Sequence, residues 1–137
     1  MGRRIAAAVM VSLTGAWCAA SARAQESGCL ETIARLNLEG SKALHTNDSV
    51  RARDSFMSAR ELCLKCFPAG SLTNDQRPEV AALYFKVYAG VGAVYAASRE
   101  YAKAIETYEE GKKLFPEYAP QYQDVIAAAQ ELEKPDG

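Results

Sequence analysis

The sequence is poor in the residue types from which most catalytic and metal sites are built. It contains one histidine, His45, and four cysteines in 137 residues. A zinc site needs a second pair of ligands beside a Cys-x-x-Cys pair, and haem attachment needs a histidine directly after it, where Phe67 stands. The other residues provide no Ser–His–Asp set, paired-carboxylate cleft or phosphate-binding loop. We therefore expect no catalytic residue, no metal, no cofactor and no enzyme.

Neither sign of charge dominates the chain. It has 16 basic and 17 acidic residues, and three of the basic ones lie in its first 24 residues, so the rest has a net charge of −4. Proteins that bind nucleic acid or anionic membranes by bulk charge carry a basic surplus instead. We expect no nucleic-acid partner.

The N-terminus has the three parts of an export signal. Arg3 and Arg4 precede an uncharged apolar run from Ile5 to Ala20, and Ala22-Arg23-Ala24 is the small-x-small pattern of a cleavage site. The sequence predicts a bacterial-type signal peptide, 1–24, cleaved after Ala24, and a mature chain, 25–137, in the periplasm or secreted. We expect no other contact with a membrane, because Lys86 and Arg99 bracket the best remaining apolar stretch.

The mature chain shows helical periodicity throughout and predicts an all-α fold. Turn-forming residues at 45–48, 67–78 and 98–100 separate four helices, and two prolines precede a fifth through "QYQDVIAAAQELE". The first two helices and the next two helices carry the same pattern of small and aromatic residues. The spacings are 3, 9, 4 and 3 in both sets: Gly40, Ala43, Ala52, Phe56, Ala59 and Gly92, Tyr95, Ala104, Tyr108, Gly111.

The second set, closed by Pro116, resembles the tetratricopeptide repeat (TPR) family. Tyr88, Val91, Tyr101 and Ile105 complete the motif, whereas the first copy has Ala43 at the aromatic position and no proline in phase. The resemblance implies antiparallel helical hairpins stacked as a short solenoid. Its expected parts are repeat one at about 28–66, a loop at 67–78, repeat two at about 79–116 and a capping helix at about 119–133. The residues expected to pack the repeats are Gly40, Ala52, Phe56, Gly92, Tyr95, Ala104, Tyr108 and Pro116.

The Cys-x-x-Cys pair of "ELCLKC" lies at the predicted end of the second helix, where the helix dipole disfavours a thiolate. Antiparallel pairing of the first two helices places Cys29 level with Cys63 and Cys66. Because side chains lean towards the N-terminus of their own helix, the register favours a Cys29–Cys66 disulfide, with Cys63 as the alternative partner. A redox role for Cys63 and Cys66 stays open.

The resemblance also implies a binding surface, because TPR arrays hold peptides or helices on the concave face lined by the first helix of each repeat. We call the matching positions the predicted groove: Asn37, Ser41, Leu44, Lys86, Ala89, Ala93 and Ala96. Gly90 and Ala97 extend its small apolar surface. These residues either seat a partner helix or only pack the fold.

The function predicted from these patterns is a non-catalytic protein-interaction adaptor of the cell envelope. Its partner is a protein or peptide, and the sequence does not identify it. Two alternatives remain: a thiol–disulfide protein that uses Cys63 and Cys66, and a structural subunit that associates with copies of itself. Fold class alone does not choose among them.

Overall fold

The computed structural model describes the backbone of residues 2–135 and the side chains of residues 24–135, and all the long elements among these are α-helices. The helices are α1 (Gly2–His45), α2 (Ser49–Cys66), α3 (Arg77–Ala97), α4 (Tyr101–Leu114) and α5 (Ala119–Glu133). Short 3₁₀ turns lie at Ala69–Ser71, inside the predicted loop, and at Pro116–Tyr118. The signal-peptide prediction falls mostly on residues whose side chains are outside the described part, so cleavage after Ala24 stays a prediction.

Each helix packs mainly against its neighbours in sequence, and α3 also contacts α1 and α5. The first two helices run antiparallel. Gly40 of α1 faces Phe56 of α2, and farther from the turn Cys29 reaches Cys66. The chain is therefore a row of antiparallel hairpins with α3 in the middle.

The turns of the two hairpins are equivalent, residue by residue, at an offset of 52. Asn47 and Arg99 both have a left-handed backbone, with φ of 59° and 62°. The next residue in each turn donates its N–H back to the preceding helix, Asp48 to the Ala43 carbonyl at 2.8 Å and Glu100 to the Tyr95 carbonyl at 2.9 Å. The repeat seen in the sequence thus extends to the backbone of the turns.

Each hairpin is closed by an aromatic ring that lies on a glycine. The Phe56 ring occupies the place where a Cβ atom of Gly40 would project, and the Tyr108 ring does the same at Gly92. Phe56 also fills the corresponding space at Gly90 of α3. A β-carbon at any of these glycines would collide with a buried ring, so glycine is required for the close approach of the helices.

The helices α2 and α4 are both followed directly by Phe-Pro, but α2 is four residues longer. Phe67 and Phe115 each terminate a helix and donate the backbone N–H to the carbonyl four residues back, at 2.9 and 3.0 Å. Phe67 follows Asp48 by 19 residues, whereas Phe115 follows Glu100 by 15. Four residues are about one helical turn. The proline missing from the first copy is therefore present, displaced by one turn.

The central helix resembles a membrane span in length and composition. The helix α3 (Arg77–Ala97) is long and apolar enough to cross a membrane, with a mean hydropathy of 1.4 over its best window. It is the one such helix in the part of the chain that the structure describes. Lys86 does not offset the apolar residues around it, and the absence of further membrane contact stays a prediction. Half of that window is buried, as expected of a helix packed against α1, α2, α4 and α5.

Candidate functional site

A disulfide joins Cys29 and Cys66 at the open end of the first hairpin, with their Cα atoms 6.4 Å apart. This is the pairing that the hairpin register favours. Both cysteines are partly accessible to solvent. The bridge closes α1 onto the last residue of α2, and that residue lies in the extra turn of this helix.

Cys63 is a free thiol buried in the core, with no exposed surface. Burial raises the pKa of Cys63 to about 12, so the thiol stays protonated at neutral pH. The two cysteines of the Cys-x-x-Cys pair are thus not bonded to each other and have different chemistry. This arrangement does not favour a redox couple made of Cys63 and Cys66.

The Tyr84 hydroxyl holds the end of α2 in place. The hydroxyl lies between two backbone carbonyl oxygens and donates its hydrogen to them. It is 2.9 Å from the oxygen of Cys63 and 2.6 Å from the oxygen of Phe67. The Tyr84 ring packs on Phe115, with centroids 4.7 Å apart, and both rings are fully buried. Sequence reasoning missed this role, because a tyrosine at a core position gives no sign of what its hydroxyl reaches.

Arg77 performs the corresponding task for the second hairpin. Its guanidinium donates to both carboxylate oxygens of Glu117, at 2.8 and 3.0 Å, and to the carbonyls of Ala69 and Leu114. It also lies 4.8 Å from the centroid of the Phe115 ring. The hydrogen bond from Arg77 lowers the pKa of the Glu117 carboxyl. Arg77 therefore ties the interhelix loop to the end of α4.

A second ion pair joins the two hairpins. Arg60 of α2 pairs with Glu110 of α4, and its guanidinium lies 5.4 Å from the ring centroid of Tyr88. The residues that line a polar notch of about 250 Å³ here are Arg60, Tyr95, Lys103, Glu106, Thr107 and Glu110. The charges of the notch largely neutralise one another, which fits a structural tie between hairpins.

The seven residues of the predicted groove lie on α1 and α3, which contact each other. Lys86 is exposed and the other six are half-buried. Leu44 and Ala96 pack against core clusters, so their exposed area is limited. The side-chain oxygen of Asn37 is inaccessible and accepts no hydrogen bond from the described residues. Ser41, Lys86, Ala89 and Ala93 are left as the positions most available to a partner.

Gly90 does not belong to this surface, contrary to the sequence interpretation. It is buried, because the Phe56 ring fills the space beside it. The expected repeat-packing residues are otherwise buried, apart from the half-buried Tyr95 and from Pro116, which is exposed at the start of its 3₁₀ turn. Glycine spacing alone did not distinguish a packing position from a surface position.

Two large apolar side chains that sequence reasoning did not single out are exposed. Leu38 is 56% exposed and lies one helical turn before Ser41 on α1. Leu132 is 61% exposed, on α5. Tyr118, in the 3₁₀ turn before α5, contacts Phe85 of α3, with ring centroids 5.8 Å apart, so the start of α5 lies next to α3.

Within residues 24–135, no three His, Cys, Asp or Glu side chains are grouped as metal ligands. Comparison of the chain with protein-family models, with curated proteins and with solved structures gives no match.

Proposed function

We propose that the chain is a TPR-like adaptor of the cell envelope that binds a peptide or helix of a partner protein along the predicted groove. In this proposal α1–α2 and α3–α4 are the two repeats, and α5 is the capping helix. The equivalent turns and the ring-on-glycine contacts at a 52-residue offset support the repeat assignment. The Tyr122 ring, which packs on Gly111, supports a capping role for α5.

The observation that carries the binding proposal is the half-buried alanine face of α3. Ala89 and Ala93 lie on the same side of this helix as the exposed Lys86 and leave a shallow floor of small side chains. An apolar helix seated on such a floor buries apolar surface that is now in water, at about 25 cal/mol per Å². Lys86 adds one positive charge that an acidic residue of the partner can pair with.

Export is part of the same proposal. The N-terminal signal pattern predicts it, and a disulfide is compatible with an oxidising compartment. In the envelope the Cys29–Cys66 bridge keeps α1, which supplies half of the predicted groove, in register with α2.

Surface substitutions on two faces test the binding proposal. The variant Lys86→Glu/Ala93→Arg reverses the charge and fills the floor of the predicted groove. Its matched control is Lys113→Glu/Ala102→Arg, which makes the same changes at exposed positions on α4. Tagged chains are crosslinked in the producing cells, and captured proteins are identified by mass spectrometry.

A partner captured by the native chain and by the control, but lost from the groove variant, is the expected result. A partner retained by the groove variant would place the binding surface elsewhere. Capture of the chain itself alone, with a concentration-dependent sedimentation coefficient, would favour the self-associating subunit instead.

A further inference from the structure

A cavity of about 650 Å³ lies directly beside the Cys29–Cys66 bridge. Its walls are the stretch of α1 from Gln25 to Thr32 and the end of α2, including Leu62 and Lys65. Both bridged cysteines line it, so a reagent that enters the cavity reaches the sulfur atoms without the core having to open.

The two sides of the bridge are held very differently. On α1, residues 24–28 are exposed, residues 29 and 30 are half-buried, and the first fully buried side chain from residue 24 onwards is Ile33. On α2, the Tyr84 hydroxyl binds the carbonyls of Cys63 and Phe67, and the Phe67 ring is buried. Between residues 24 and 32, Cys29 and Leu30 are the apolar side chains that pack against the core, whereas the end of α2 is anchored by several contacts of its own.

We propose that the Cys29–Cys66 bridge is a redox-controlled clamp, opened by a dithiol oxidoreductase that reaches it through this cavity. Opening releases residues 25–32 of α1 from α2 and leaves the remaining helices folded. The inference is independent of what the predicted groove binds.

The exchange conserves atoms and electrons. A thiolate of the oxidoreductase attacks Sγ of Cys66, the Cys29–Cys66 bond breaks, and Cys29 leaves as a thiolate that takes a proton from water. The second thiol of the oxidoreductase loses its proton to water and attacks the first sulfur of the oxidoreductase, which is bonded to Cys66 in the mixed disulfide. Cys66 leaves as a thiolate and takes up a proton. The bridge gains two electrons, and the oxidoreductase dithiol becomes a disulfide.

Lys65 explains why Cys66 is the sulfur attacked. Lys65 lines the same cavity, one residue from Cys66, and its positive charge attracts an incoming thiolate. The buried, protonated Cys63 takes no part in the exchange.

Native-state reduction kinetics test the proposal. The purified exported chain is treated with dithiothreitol at pH 8, and bridge opening is followed by alkylation and mass spectrometry at urea concentrations below the unfolding transition. The clamp predicts a rate that rises linearly with dithiothreitol and hardly changes with urea. A rate that climbs steeply with urea would mean that the bridge opens only in unfolded molecules, and would overturn the proposal.

Hydrogen exchange of the opened protein tests where the structure loosens. The expected result, both after reduction and in Cys29→Ser/Cys66→Ser, is loss of nearly all protection at about residues 29–33, while amides of α3–α5 lose no more than the fall in global unfolding free energy. In Cys63→Ala, residues 29–33 should stay protected. A loss at residues 29–33 no larger than the loss throughout α3–α5 would show that the bridge is a staple for the whole fold and would contradict the clamp.

Two further variants test the route of attack. Lys65→Glu should slow reduction several-fold, while Lys65→Arg and the distant Lys113→Glu should not. A thioredoxin whose second active-site cysteine is replaced by serine should be trapped on Cys66. Trapping on Cys29, or equal rates for all three lysine variants, would refute the assigned route.

Discussion

The two hairpins share their turns but are secured differently at the opposite end. In both, a left-handed residue and a backbone hydrogen bond close the turn, and a ring on a glycine joins the helices. At the open end, the first hairpin has an extra helical turn in α2 and a disulfide at its last residue. The second hairpin has the Arg77–Glu117 ion pair and the Phe115 ring.

The difference follows from position in the row of helices. The hairpin α3–α4 is covered by α2 on one side and by α5 on the other, so polar and aromatic contacts from neighbours can secure its open end. Among the described residues α1 has no helix on its far side, and the side chains of residues 24–28 are exposed. A covalent bond at this edge replaces the packing that a further repeat would supply. The "CLKC" stretch is the added turn that brings Cys66 level with Cys29.

The largest predicted effect tests the ring-on-glycine contacts. Phe56→Ala should cost about 3–5 kcal/mol of unfolding free energy, because its ring is enclosed by glycines on two other helices. Tyr108→Ala should lower the unfolding free energy less, because the Tyr108 ring packs on one glycine, Gly92, and the Phe56 ring packs on two. Urea unfolding followed by circular dichroism measures both, with the exposed Leu38→Ala as the control. Equal costs would show that the second glycine contact adds nothing.

The second effect compares the two ways of securing an open end. Loss of the bridge in Cys29→Ser/Cys66→Ser should lower the unfolding free energy by about 3–4 kcal/mol, the chain-entropy value for a loop of this length. Arg77→Gln, its counterpart in the second hairpin, should lower it less, because the Arg77–Glu117 pair is partly exposed. Thermal and urea unfolding of both variants measure the two losses. A larger loss of unfolding free energy in Arg77→Gln than in Cys29→Ser/Cys66→Ser would contradict this prediction.

A smaller effect is expected where the hairpins meet. Tyr84→Phe keeps the buried ring but removes the hydroxyl between the Cys63 and Phe67 carbonyls, at a cost of about 1–3 kcal/mol. The cost should persist in Cys29→Ser/Cys66→Ser, since the hydroxyl anchors α2 independently of the bridge. A double-mutant cycle measures this, and strong coupling between the two changes would contradict independent anchoring.

The smallest effect is confined to alkaline pH. The pKa of Cys63 is raised to about 12 in the folded chain. The contribution of its protonated thiol to the unfolding free energy is therefore complete below the ordinary thiol pKa and is lost as the pH rises towards 12. Relative to Cys63→Ala, the native chain should lose about 1.5 kcal/mol of unfolding free energy between pH 8 and pH 10. A constant difference between the two proteins over this range would mean that the folded thiol ionises normally.

Local patterns were readable from the sequence, and contacts across several helices were not. The turn at 98–100, the equivalence of Gly40 and Gly92, and the Cys29–Cys66 pairing depend on register within one hairpin, which spacing determines. The second glycine under Phe56, the hydroxyl contacts of Tyr84 and the reach of Arg77 depend on how hairpins cross.

Site-specific photo-crosslinking in the producing cells tests the central claim, that the predicted groove binds a partner, most directly. A photoreactive amino acid is placed at Ala93 in one chain and at the exposed Ala102 of α4 in another. The account predicts a discrete crosslinked partner from position 93 and none from position 102, with the product lost when the exposed Lys86 is changed to glutamate. Crosslinks from position 102 alone, or from neither position, would contradict it.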